Sequence, residues 1–165
     1  MTVLGIDPGT AACGFGVVRR EGSRVVALEH GWWSTPAGER PELRLKRIYE
    51  RLATLAERFE PEVVAFEESY VGVDARTALS VGQARGAALV ACANAGLPCV
   101  EYSPATVKQA VCGYGRADKA QVQRMVRAIL RLDEDPTPHH AADALAVAIC
   151  HALASPVADL IAGRR

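Results

Sequence analysis

Apolar positions along the chain change their spacing, and the spacing separates strands from helices. Thr2 to Asp7 is a short apolar run, and Gly14 to Arg20 and Val25 to Ser34 are rich in β-formers, with Pro8-Gly9 and Glu21-Gly22 marking turns between them. This predicts a three-stranded meander. Pro41 suits a first helical position, after which Leu45, Ile48, Leu52, Leu55, Ala56 and Phe59 recur with helical period until Glu60-Pro61 stops them.

Beyond that helix, Val63 to Glu67 reads as a buried parallel strand, and the polar stretch from Glu68 to Asp74 as a loop. A long helix is expected from about Ala75 to Ala95. Its Ala78, Gly82 and Gly86 lie four apart on one face, where either another element of the chain or a second subunit can approach closely. Cys99 to Tyr102 resembles another buried strand, and Ser103-Pro104 is a cap followed by a proline at the first helical position, opening a short helix to about Val111. A further helix begins near Asp118, and the last near His139 after the break from Asp133 to Pro138. The sum is an α/β pattern: a mixed five-stranded sheet with helices on both faces, residues 1–156 forming one domain and 157–165 a short flexible tail.

Composition narrows the class. Half of the 165 residues are hydrophobic, ample for one core, yet no apolar run approaches the ~20 residues that span a bilayer, so a cytoplasmic protein is expected. The five cysteines lack the close paired spacing of zinc or redox sites and read as reduced thiols. Net charge is zero, but between Tyr102 and Arg131 six basic residues (Lys108, Arg116, Lys119, Arg124, Arg127, Arg131) face one acidic, Asp118. That stretch can follow a phosphate backbone, or Arg124, Arg127 and Arg131 can be a solvated helix face.

Carboxylates stand in apolar surroundings at three places. Asp7 ends the first strand, Glu67 ends the Val63 strand, and Asp143 lies among alanines and Leu145 in the last helix. Adjacent parallel strands would bring Asp7 and Glu67 together beyond their carboxyl ends, and His140 shares a helix face with Asp143. Held close without a basic partner, such groups repel one another, and divalent ions are the natural remedy. Two ions ~4 Å apart can activate water and stabilise a leaving oxygen in phosphodiester hydrolysis. Each residue also has a structural explanation: Asp7 as a turn former before Pro-Gly, His140 as a helix cap beside His139. Glu67 and Glu68 point to opposite faces of a strand, so at most one should reach the site.

The segments Gly5-Ile6-Asp7-Pro8-Gly9-Thr10, Glu67, Gly82-Gln83-Ala84-Arg85-Gly86, Val107-Lys108-Gln109 and His140-Ala141-Ala142-Asp143-Ala144-Leu145-Ala146 together resemble, in order, the RuvC family of Holliday-junction resolvases. The resemblance implies an RNase H-like fold, a homodimer, and paired symmetric nicks across a four-way DNA junction. It implies metal binding and catalysis by Asp7, Glu67, His140 and Asp143, with two divalent ions per subunit, and phosphate contacts from Lys108 and Lys119. Tyr70 takes the place of an aromatic residue near the crossover, where stacking on an unpaired base is worth ~1–3 kcal/mol. The RuvA–RuvB branch-migration complex is the implied partner. Where some members have a fourth carboxylate this chain has His140, and imidazole favours Mn²⁺ over Mg²⁺.

Three other readings remain. The Gly5-to-Thr10 signature also opens actin-like and Hsp70-like ATPases, although those close two domains over a nucleotide. Alternatively, the chain is a different RNase H-like nuclease, or a DNA-binding module whose carboxylates are structural.

Overall fold

In the computed structural model, β1 (Thr2–Asp7), β2 (Ala12–Glu21) and β3 (Arg24–Ser34) form the predicted antiparallel meander. The structure describes the backbone of residues 1–68 and 74–162, and side chains among these as far as residue 154. Strands β4 (Val63–Glu67) and β5 (Cys99–Tyr102) extend the sheet on the other side of β1, both parallel to it, giving the expected mixed five-stranded sheet in the order β3-β2-β1-β4-β5. The helices are α1 (Pro41–Phe59), α2 (Ala75–Asn94), α3 (Pro104–Cys112), α4 (Lys119–Leu130) and α5 (His139–Ala162). Helix α5 thus continues past Pro156, into the segment expected to be a tail. Among the described residues, no helix is long and apolar enough to cross a membrane.

Strand alternation divides the core in two. Leu4, Ile6, Val17, Val64 and Phe66 pack with α1 and α2, whereas Val3, Val18, Val63 and Ala65 pack with α3, α4 and α5. Parity then decides the site: Asp7, four residues after Val3, and Glu67, two after Ala65, project on the α5 side. The helix starts follow the expected chemistry. Ser103 accepts from the Thr106 backbone N–H ahead of Pro104, and Asp118 and Gln121 form a reciprocal capping box that places Lys119 at the first turn of α4.

One expectation is corrected and one open alternative is narrowed. Strand β5 is an edge strand, with Cys99 and Glu101 exposed, because no further strand pairs beyond it. Among the described residues, nothing packs on the small-residue face of α2: a Cβ at Gly82 or Gly86 would meet no atom within 4 Å, and Leu79 and Val90 beside them are 64% and 54% exposed. The five cysteines are all free, with Cys13, Cys92 and Cys150 buried.

Candidate active site

The close seating of α5 on the sheet builds the site. A Cβ at Gly5 would lie 2.0 Å from the carbonyl oxygen of Ala144, one at Gly14 2.0 Å from that of His140, and one at Gly16 2.6 Å from a Leu145 methyl. Only glycine leaves room there for a helix backbone against strand backbone. Ala141, Ala142, Ala144 and Ala148 supply the matching small surface on α5. This contact carries the first turn of α5 across the ends of β1 and β2, where Asp7 pairs with Gly14. His140 and Asp7 meet there directly, with Nδ1 and a carboxylate oxygen 2.6 Å apart.

The parallel register aligns Ile6 with Phe66, so Glu67 lies next to Asp7 at the sheet's end. Glu67 and Asp143 share a cavity of about 140 Å³ with Lys108 of α3 and Lys119 of α4. Lys119 Nζ stands 3.8 Å from an Asp143 carboxylate oxygen. The carboxylates therefore do have basic partners, contrary to the expectation from sequence. The lysines come from α3 and α4, elements whose proximity no local pattern reveals. Glu68 is exposed, as strand alternation requires, and its N–H donates to the Tyr102 carbonyl instead.

The electrostatics mark the cluster. Burial, then the Asp143 and Asp7 charges, push the Glu67 carboxyl up to about 7, with Lys108 and Lys119 partly offsetting them. Burial and the Asp7 charge raise Asp143 as well, against Lys119, His139 and His140. Among the described residues, no three His, Cys, Asp or Glu side chains converge closely enough to hold an ion as placed. The donor set still fits a divalent cation in its chemistry. Three carboxylates and an imidazole occupy one sheet end, and two of the carboxylates, Glu67 and Asp143, resist ionisation because of their burial and the negative charge beside them, that of Asp7 in both cases, a penalty that a cation relieves.

Tyr70 lies outside the described residues. Arg127 is engaged locally, its Nη1 3.6 Å from Asp135 and its Nε donating to the Leu132 carbonyl, and Arg124 and Arg131 are exposed, so this face of α4 is a solvated one. Arg47 pairs with Glu39 on α1, across the sheet from the site.

Sequence reasoning missed the devices that fix the strand ends. Thr10, just past the Asp7 turn, receives hydrogen bonds at its carbonyl from Thr35 Oγ1 at 2.5 Å and Arg44 Nη2 at 3.0 Å, and its hydroxyl meets that of Ser80 on α2. Arg85 of α2 donates to the Glu67 carbonyl at 3.3 Å. The alternation Gly14-Phe15-Gly16 opposite an alanine-rich helix was the available signal for the close packing of α5.

Comparison with known proteins agrees with this picture. Residues 3–151 match the family model for crossover junction endodeoxyribonuclease RuvC. The chain is 53% identical over 156 residues to the protein of that name from Moorella thermoacetica, covering 94% of this chain and 93% of the relative. Among solved structures, Thermus thermophilus RuvC superposes with a TM-score of 0.89 at 43% identity, covering 96% of this chain and 97% of that one. The same protein in complex with a Holliday junction substrate gives a TM-score of 0.92 at 43% identity, with 96% of each chain covered.

Proposed function

This chain belongs to the RuvC family of crossover junction endodeoxyribonucleases, and on that premise we propose that Asp7, Glu67, His140 and Asp143 form the centre with which it cuts Holliday junctions by paired symmetric nicks. The observation that carries the assignment is the convergence of strand ends β1 and β4 with the start of α5, lined on its open side by Lys108 and Lys119. Divalent ions held by the four side chains, two per subunit in this reading, would activate a water and stabilise the leaving oxygen.

The remaining work falls to the protein. Asp7 fixes the His140 ring through Nδ1, which leaves Nε2 as the nitrogen to offer a cation. Lys108 and Lys119, which line the same cavity, are assigned contacts to the scissile phosphate, where they would stabilise charge that develops on it. Tyr70, three residues after Glu67, is assigned to stacking on an unpaired base near the crossover.

Paired nicks require two centres. The exposed face of α2, with Leu79, Gly82, Gly86 and Val90, is proposed as the surface on which a second copy packs. Family membership is the ground for proposing the RuvA–RuvB complex as a partner and the cytoplasm as the place of action.

The test is incubation with a synthetic four-way junction, a matching linear duplex and a series of divalent ions. The expected result is cutting of the junction alone, only when an ion is present, and without ATP. Indifference to branching would point to another RNase H-like nuclease, and junction binding without cutting in any ion would point to a non-catalytic module.

A further inference from the structure

Glu67 reaches the site from the last residue of β4, just before the chain leaves the sheet. A carboxylate at a strand end can bind an ion only if the backbone beneath it is held. The side chain faces α5, so whatever holds the backbone must leave that face clear.

Arg85 meets that requirement from the opposite face. It projects from α2 with its side chain only 14% exposed, and its guanidinium carbon lies 5.1 Å from the centre of the Phe66 ring. One terminal nitrogen donates to the Glu67 carbonyl at 3.3 Å, and the other pairs with the Glu101 carboxylate. Phe66 and Glu101 are register partners on β4 and β5, so a single planar group spans both strands and ends on the backbone of Glu67. Lysine cannot do this, because its ammonium is a compact point charge and not a fork.

We propose that Arg85 is a positioning residue for the Glu67 carboxylate, locking the end of β4 from the α2 side so that the carboxylate is aimed at the metal position on the α5 side. The inference deepens the nuclease assignment and rests on it. It also gives α2 a second task. Gly86, the next residue along, lies on the exposed face assigned to the second subunit, so the helix joining the subunits would also brace the catalytic strand.

The test measures Mn²⁺ binding to the DNA-free protein, from loss of the free-ion EPR signal, for the wild type, Arg85→Lys, Arg85→Met and Glu101→Gln. Single-turnover junction cutting and junction affinity in Ca²⁺ are measured alongside. Groups that orient a ligand typically change metal affinity by about 10–100-fold when lost. Arg85→Lys should therefore weaken Mn²⁺ binding about tenfold, Arg85→Met more, and Glu101→Gln by a smaller factor in the same direction. Cutting should recover toward the wild-type rate at high Mn²⁺, with junction affinity unchanged. Should Arg85→Met fail to fold, Arg85→Lys and Glu101→Gln decide the matter, the latter altering a half-exposed side chain. Wild-type Mn²⁺ affinity in both would overturn the proposal, as would a loss of Mn²⁺ binding matched by an equal loss of junction affinity. Failure of the nuclease assignment looks different: the wild type would then cut no junction in any ion, whatever the Mn²⁺ titrations give.

Discussion

His140 is the one nitrogen donor among the four side chains, and its Nδ1 is already committed to Asp7. Mg²⁺ demands near-ideal octahedral oxygen ligands, whereas Mn²⁺ accepts imidazole more readily. Junction cutting should therefore be faster in Mn²⁺ than in Mg²⁺ at equal concentration, and His140→Asp should narrow or reverse that ratio; an unchanged ratio would remove His140 from the metal's ligands. Glu67 gives a second test through stability. Its folded-state value of about 7 lies above its ordinary 4.5, so the folded chain holds a proton that the unfolded chain releases between those values. The stabilisation is complete below about 4.5 and is lost as pH rises through about 7. Without divalent ions, Tm should fall from pH 5 to pH 8 more steeply in the wild type than in Glu67→Gln, and added Mn²⁺ should restore it at the high end. Equal slopes would show that Glu67 ionises without penalty.

Among the elements, α5 shows most plainly what sequence periodicity can and cannot deliver. The helix, its start near His139 and the shared face of His140 and Asp143 were legible from spacing alone, as were Asp7 and Glu67 at neighbouring strand ends. The seating of α5 on β1 and β2 was not, because Gly5, Gly14 and Gly16 are small for the sake of a helix more than a hundred residues away. Lys119 beside Asp143 was not legible from spacing for the same reason, and only the family resemblance put this lysine at the site: proximity between elements is set by packing and not by local pattern. Gly14→Ala makes the packing claim testable. Its Cβ would meet the His140 carbonyl, so stability should drop by about 1–3 kcal/mol or more and cutting should fail, while Gly38→Ala, with no atom within 4 Å, should change neither. Denaturant midpoints and cutting assays read both. On α2, spacing identified the small-residue face, but only the fold shows that the described residues leave it uncovered. Leu79→Asp should shift the protein from dimer to monomer in sedimentation, and an unaffected dimer would place the interface elsewhere.

For the whole molecule, the zero net charge hides a division by region. The carboxylates gather at one end of the sheet with Lys108 and Lys119 beside them, so cations bound as proposed would, together with the two lysines, turn an acidic patch into a surface that accepts phosphate. Binding should accordingly weaken steeply with salt, as phosphate contacts release counterions. Chemistry and binding are proposed to reside in separable groups, the chemistry in Asp7, Glu67, His140 and Asp143. The most direct measurement is single-turnover cutting of a four-way junction with all strands end-labelled, by the wild type and by Asp7→Asn, with junction affinity measured under the same conditions. The wild type should make paired, symmetric cuts and Asp7→Asn none, at near-equal affinity. Wild-type cutting by Asp7→Asn would remove Asp7 from the catalytic centre.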